Sequence, residues 1–362
     1  MARRERNQYI FYEDPKRHRG KGVGRAVLIL LFVLLLACGI FGTVLSGNIS
    51  YVRLPFTIPN LPADMEGFAI LHVSDLHGAN DANLLAKFQK YIKNRTWSCM
   101  IMTGDMIGKN EEIEGVLALC ALFPPDMPKY LILGDEDPDY LIPYPHENLT
   151  PFPDWMNTLL ENGVTLVDEP ILITRGKKEE ARLWLVPEEL YHVDLDTMQW
   201  AYEGQLKQYE KLENLTPAQE AQKRVVTYQA ERMARIREKL GQIRDTDLQF
   251  ALTHVPITEE EAKAAIQSAG NGQLQYRKIS MILAGHYCGG QWVIPGIGPI
   301  YIPEIGWFPK EERVSGMSYP GGIPQYTSPG LGASGFYPYQ PGRFMNPECI
   351  TSIELTSQMR AN

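Results

Sequence analysis

Phe68-Ala69-Ile70-Leu71-His72-Val73-Ser74-Asp75-Leu76-His77 is the stretch on which the fold turns. Its first six residues are mostly apolar and of strand length, and they run straight into an Asp-x-His triplet. The same grammar returns along the chain. Cys99–Thr103 leads to Gly104-Asp105, and Tyr130–Leu133 leads to Gly134-Asp135-Glu136-Asp137. Leu248–Thr253 leads to His254, and Ile279–Ala284 leads to Gly285-His286-Tyr287-Cys288-Gly289-Gly290. In an open α/β sheet, groups at the carboxyl ends of neighbouring strands converge on one crevice. Ligand-type residues at five such ends predict a metal centre.

Amphipathic helices alternate with these strands. Leu84, Leu85, Phe88, Tyr91 and Ile92 share one face, as do Ile113, Val116, Leu117 and Cys120. Trp155–Asn162 is stopped by Gly163, and Thr258 with Glu261 forms a capping box for a helix ending before Gly270. Strand-helix alternation implies a layered α/β domain. Ile171–Thr174 and Leu183–Val186 form a hairpin around Arg175–Glu180, which predicts a second set of strands. Tyr51–Asp64 is taken as a Pro-containing connector into the first strand.

Residues 194–245 break the rhythm. Thr216-Pro217-Ala218-Gln219 is a helix start, and Val226, Met233, Ile236, Leu240 and Ile243 then form a stripe of period near 3.5. This helical insertion either packs on its own domain or serves as a lid or self-association element. Ser315–Pro347 is dense in Gly, Pro and Tyr, yet it is expected to form an ordered wall beside the pocket before a last strand at Cys349–Leu355.

The net charge of −8 splits into +5 over the first 25 residues and −13 over the rest. An acidic body excludes a nucleic-acid partner, because phosphate backbones are held mainly by clustered Lys and Arg. Ala26–Leu45 holds twenty residues without a charge, the length of a bilayer span. Arg3, Arg4, Arg6, Lys16, Arg17, Arg19, Lys21 and Arg25 precede it, so the positive-inside rule keeps the tail in the cytoplasm. The run is long for a cleaved signal peptide and no small-x-small site follows it. The organisation expected is therefore a basic cytoplasmic tail (1–25), a single-pass signal-anchor (26–46) and an extracytoplasmic domain (51–362). Five cysteines without repeated spacing imply no disulfide framework. Cys99, Cys120 and Cys349 are expected to be small buried thiols, whereas Cys288 lies inside a ligand motif.

The ordered set Asp-x-His, Gly-Asp, Gly-Asp-Glu-Asp, His and Gly-His-x-Cys-Gly-Gly-Gln resembles the calcineurin-like metallophosphoesterase family, in particular its bacterial membrane-anchored members. Asp75, Asp105 and Asp135 fall 30 residues apart, one strand-helix unit each. The resemblance implies a four-layer α/β sandwich, two mixed β-sheets flanked by helices. It also implies two divalent ions (Mn, Zn or Fe). Asp75, His77, Asp105 and Cys288 would hold one ion. Asp105 would bridge to a second, also held by Asp135, His254 and His286.

Three positions depart from the family pattern. Asp135 and Glu136 stand where it has Asn and His, and Cys288 stands where it has the final His. Asp75 and Asp105 alone give −2 against two divalent ions, whereas Asp135 and a Cys288 thiolate bring the ligand set to −4. Attraction for an anionic substrate falls accordingly, and a thiolate favours Zn²⁺ or Fe. Glu136 occupies the place of a substrate-contacting or leaving-group-protonating residue and is the catalytic candidate. Carboxylates at Asp135 and Asp137 are expected to raise its pKa. The function expected is hydrolysis of a phosphomonoester or phosphodiester, on a small-molecule or lipid-linked substrate. The alternative is a metal- or ligand-binding member whose altered site has lost efficient hydrolysis.

Overall fold

A computed structural model describes residues 19–147, 149–177, 179–268, 274–335 and 342–358. Helix α1 (Arg19–Ser46) leads into β1 (Ile49–Thr57), β2 (Ala69–Val73), α2 (Ala82–Ile92), β3 (Cys99–Thr103), α3 (Glu114–Cys120), β4 (Lys129–Ile132), α4 (Asp154–Glu161) and β5 (Val164–Leu166). The hairpin β6 (Ile171–Arg175) and β7 (Ala181–Pro187) follows, then α5 (Leu195–Tyr209), α6 (Pro217–Leu240), β8 (Leu248–Leu252), α7 (Glu259–Ser268) and β9 (Met281–Ala284). Two small ribbons pair β10 (Val293–Ile294) with β11 (Gly298–Pro299), and β12 (Tyr301–Ile302) with β13 (Gly306–Trp307). The chain closes with β14 (Gly316–Ser318), β15 (Gln325–Thr327) and β16 (Glu348–Thr356).

Two six-stranded sheets carry the site, in the orders β1-β16-β2-β3-β4-β5 and β14-β15-β9-β8-β7-β6. Strands β2 to β5 are mutually parallel, as are β15, β9, β8 and β7. Both sheets are mixed, because β16 opposes β2 and because β6 and β14 oppose their neighbours. Burial on both faces explains why the parallel strands are near-continuous apolar runs rather than alternating ones.

Between the sheets, Ile70, Ile101, Ile132 and Ile353 meet Leu185, Phe250, Leu283 and Tyr326. On the outer face of the first sheet, Leu71, Met100 and Leu131 pack against Phe88 of α2, Leu119 of α3 and Trp155 of α4. On the outer face of the second, Trp184 and Val186 bury Met233, Ile236 and Leu240 of α6, and Ala251 and Ile282 bury Ala262 and Ala265 of α7. Helices, sheet, sheet and helices make four layers. Truncating a fully buried ring such as Phe88 or Phe250 would cost about 3–5 kcal/mol.

The 194–245 insertion is thus part of the outer layer over the second sheet. Thr216 and Gln219 form the capping box, and Asp194 caps α5 by accepting from Asp196 and Thr197 N–H. Arg232 ties α6 to the domain by donating to the Asp168 carbonyl at 2.7 Å and to Glu189 at 2.9 Å.

Tyr51–Asp64 corrects the sequence reading. Its first half, Tyr51–Thr57, belongs to β1, paired in parallel with β16, rather than to a connector. Pro55 misleads at the sequence level but is tolerated here, since edge strands leave one row of N–H groups unpaired. The expected wall is ordered where described: Gln325–Thr327 joins the second sheet, and Ser328 N–H donates to Ala284 at 2.8 Å.

The anchor expected over 26–46 falls within α1. The side chains at 35, 38, 41 and 43–46 lie outside the described residues, as do residues 1–18 of the basic tail. Among the described residues, no helix is long and apolar enough to cross a membrane. Val27 to Leu34, Leu36 and Ile40 are nevertheless all exposed.

Candidate metal centre

Each ligand-type residue sits in the loop leaving a parallel strand. These loops interlock through backbone bonds: Asp75 N–H donates to Gly104, His77 N–H to Asp105, and Gly285 N–H to His254, at 3.0, 2.8 and 2.8 Å. Asp75, His77, Asp105, His286 and Cys288 all have positive φ, between 47° and 82°. Non-glycine residues rarely adopt that region, and such strain concentrates at functional sites. Here it turns successive side chains away from the strand direction and toward a common point.

Asp105, Asp135, His254 and His286 form one group, their ligand atoms all within 4.8 Å of one another. His254 Nε2 lies 3.0 Å from Asp105 Oδ2 and 3.1 Å from Asp135 Oδ1, and His286 Nδ1 lies 3.0 Å from Asp135 Oδ1. His254 Nδ1 is 2.7 Å from the Thr103 carbonyl, which can only accept. That bond holds the proton on Nδ1, so neutral His254 presents the Nε2 lone pair to the carboxylates. A fixed tautomer of this kind is how proteins orient metal-binding imidazoles.

Asp75, His77 and Cys288 form the second group within the same limit, with His77 Nε2 3.4 Å from Cys288 Sγ. Asp75 and Cys288 are buried, whereas the Asp135 side chain is 56% exposed. A third group of His77, Asp105 and Glu136 links the two, since it shares Asp105 with the first and His77 with the second. Glu136 Oε1 accepts from Ser334 Oγ, and Oε2 lies 3.6 Å from His77 Nδ1 and 3.5 Å from Lys109 Nζ. Every sequence-predicted site residue therefore reaches one crevice. Glu136 is also placed to serve as a ligand or substrate contact, beyond the proton-donor role expected of it.

The family model for calcineurin-like phosphoesterase matches residues 68–289, more than half of the 362-residue chain. The chain belongs to the calcineurin-like phosphoesterase family. It is a metallophosphoesterase, a hydrolase of phosphate esters. No curated protein matches the sequence. Among solved structures it is similar to phosphopantetheinyl hydrolase from Mycobacterium tuberculosis, at 14% identity and a TM-score of 0.35, over 77% of this chain and 96% of that one.

The donor set of this metallophosphoesterase fits divalent cations. Burial works against a charged His254, yet hydrogen bonds to Asp105 and Asp135 raise its pKa well above the ordinary histidine value. Asp135 is held far below the usual carboxylate range by hydrogen bonds to His254 and His286. Clustered acids thus draw a proton onto the imidazole that a cation would replace. Among the described residues, buried Glu136 Oε2 accepts no hydrogen bond and has only the looser approaches of Lys109 and His77, at 3.5 and 3.6 Å, so it has room for a cation or a donor. Cys288 differs. Burial first, and Asp75 second, push its thiol well above its ordinary value, so only a strongly bound ion would hold it as thiolate.

Several supporting residues escaped the sequence reading. Asp137 accepts from the N–H groups of Ile107, Asp105 and Gly134 at 2.7, 2.8 and 2.8 Å, pinning two ligand loops together. It braces these loops, and burial pushes its own pKa up to about 6. Gly134 is required because a Cβ there would lie 2.2 Å from Asp105 Oδ1. Half-buried Arg343 donates to the carbonyls of Pro329, Gly332 and Asn346, tying together the wall beside Asp75. The two acids after Asp135 and the Gly before it were the available signals.

Proposed function

We propose that this protein is a two-metal phosphoesterase, acting on a phosphomonoester or phosphodiester at a membrane to which residues 26–46 tether it. The observation that supports the reading is Asp105, whose carboxylate lies within 4.8 Å of ligand atoms of Asp135, His254 and His286 on one side and of His77 and Glu136 on the other. Two divalent ions would supply clamping of phosphoryl oxygens, acidification of a water and neutralisation of charge on the leaving oxygen. The side chains divide the rest of the work. Asp135, His254 and His286 form the group nearer solvent, while Asp75, His77 and Cys288 form the buried one. Lys109 and Glu136 stand beside them to orient the phosphate or its leaving oxygen. His254 is kept in the required tautomer by Thr103.

The tether is supported by the unbroken exposed apolar run from Val27 to Leu34. Register adds to this. Ile49, three residues after α1, pairs with Glu348, beyond the Thr351–His72 pair near the carboxyl end of β2. The helix thus joins the domain at the end where the metal centre lies. With the basic tail in the cytoplasm, the domain would lie outside it, and its crevice would meet lipid-linked phosphates at the bilayer surface.

The full-length chain in detergent would be assayed on phosphate mono- and diesters with Mn²⁺, Zn²⁺ and Fe²⁺. Metal-stimulated turnover that is lost in an Asp75→Ala, His254→Ala double variant is the expected outcome. Equal turnover in both proteins would defeat the proposal. Metal binding without turnover would favour the binding-protein alternative.

A further inference from the structure

A cavity of about 270 Å³ opens beside the metal centre, its lining including both His254 and, from α6, Arg232. Its other polar walls are Tyr140, Asp168, Glu188, Glu189 and Thr253, and Leu133, Leu166 and Leu252 supply apolar surface. Leu133 and Thr253 immediately precede metal-ligand loops, so the cavity begins where the reacting phosphate would sit. The 194–245 insertion, which the phosphoesterase chemistry does not use, thereby supplies a side chain to the site's margin.

Arg232 is buried, and its hydrogen bonds to the Asp168 carbonyl, Glu189 Oε1 and Gln229 Oε1 use three of the five N–H groups a guanidinium carries. The Tyr140 hydroxyl interacts with Gln229, and the Tyr228 hydroxyl donates to Asp168. Asp168, Glu188 and Glu189 outnumber Arg232 in the lining, so the cavity is acidic overall. A second phosphate on the leaving group would be repelled. A hydroxyl suits the same walls, because it can accept from Arg232 and donate to Glu189. The apolar walls fit the C–H faces of a carbon skeleton.

We propose that this cavity receives the alcohol part of the substrate and selects an uncharged polyol, with Arg232 and Tyr140 as specificity-determining residues. This rests on the phosphoesterase reading and adds the leaving group's chemistry to it. A site built to hydrogen-bond hydroxyls rejects the analogue lacking them more strongly than an apolar pocket rejects an extra hydroxyl.

The test uses the full-length, metal-loaded protein and two esters with the same ring, inositol phosphate and cyclohexyl phosphate, each as monoester and as methyl diester. The wild type is expected to favour the inositol ester by about tenfold or more in kcat/KM. Arg232→Met and Tyr140→Phe should each collapse that ratio through KM, with bound metal unchanged. Thermal unfolding checks that each variant folds, and Tyr140→Phe, which removes only a hydroxyl, decides the matter if Arg232→Met does not. Turnover of both esters without preference, or variants that lower both equally, would overturn the polyol assignment alone. Absence of turnover on every ester would overturn the phosphoesterase reading and this one with it.

Discussion

Asp105, Asp135, His254 and His286 combine two carboxylates with two imidazoles, whereas Asp75, His77 and Cys288 put a thiol where the family pattern carries an imidazole. The first group is held ready: Thr103 fixes the His254 tautomer, and the carboxylates around it already draw a positive charge. The second is buried, and its thiol is held protonated by burial and by Asp75. Similar loops at the ends of parallel strands thus make two halves that each give up a proton to a cation, one from the His254 imidazolium held by carboxylates and one from the buried Cys288 thiol. The halves should differ in the ions they prefer and in how strongly affinity depends on pH.

The largest effect should come from removing Asp105, which the proposed two-metal reading makes common to both halves. Asp105→Ala is expected to lower turnover far more than the roughly 10–100-fold typical of losing an outer hydrogen-bond partner of a ligand. Bound metal should fall at both groups, as elemental analysis and steady-state kinetics would read. Loss confined to one group would break the comparison, because Asp105 would then belong to that half only.

Cys288→Ser should sharpen it. Loss of the soft donor should weaken Zn²⁺ at the buried group by about 10–100-fold while changing Mn²⁺ much less, as measured by competition with a chelator. Equal weakening of both ions would mean that the sulfur is packing rather than ligand.

Asp137→Asn is expected to act on both halves through their loops. It leaves fewer acceptors for the N–H groups of Asp105, Ile107 and Gly134, and should cost about 1–3 kcal/mol, seen as a lowered unfolding midpoint. An unchanged midpoint would show that the loops hold without the brace.

The smallest effect at neutral pH concerns His72, a buried histidine close in sequence to the site but shifted in the opposite direction to His254. Burial pushes its pKa down from 6.5 to about 3. The unfolded chain therefore takes up a proton that the folded chain refuses, so stability is full above 6.5 and declines as pH falls toward 3. The His72 contribution to that slope is about 1.4 kcal/mol per pH unit. His72→Gln should flatten the curve over that window, and an unaltered curve would assign the acid sensitivity elsewhere.

The fold was legible because β2, β3, β4, β8 and β9, buried on both faces, are mainly apolar, and because each leads into a residue type that apolar packing does not explain. Capping chemistry marked α6 and α7 through Thr216 and Thr258. What stayed hidden depended on contacts between distant segments. Pro55 concealed β1, whose partner β16 lies about three hundred residues onward. Asp137 looked like one acid among three until its backbone partners were known. Positive φ at Asp75 or Cys288 leaves no trace in residue type, since it is imposed by neighbouring loops. Arg232 was one charge on a helix flank, and only the return of α6 onto β7 brings it to the cavity.

Anomalous scattering from crystals of the full-length protein, collected at the absorption edges of Mn, Fe and Zn, tests the central claim most directly. Two peaks are expected, one among Asp105, Asp135, His254 and His286 and one among Asp75, His77 and Cys288, with Asp105 touching both. A single peak, or peaks away from Asp105, would contradict it.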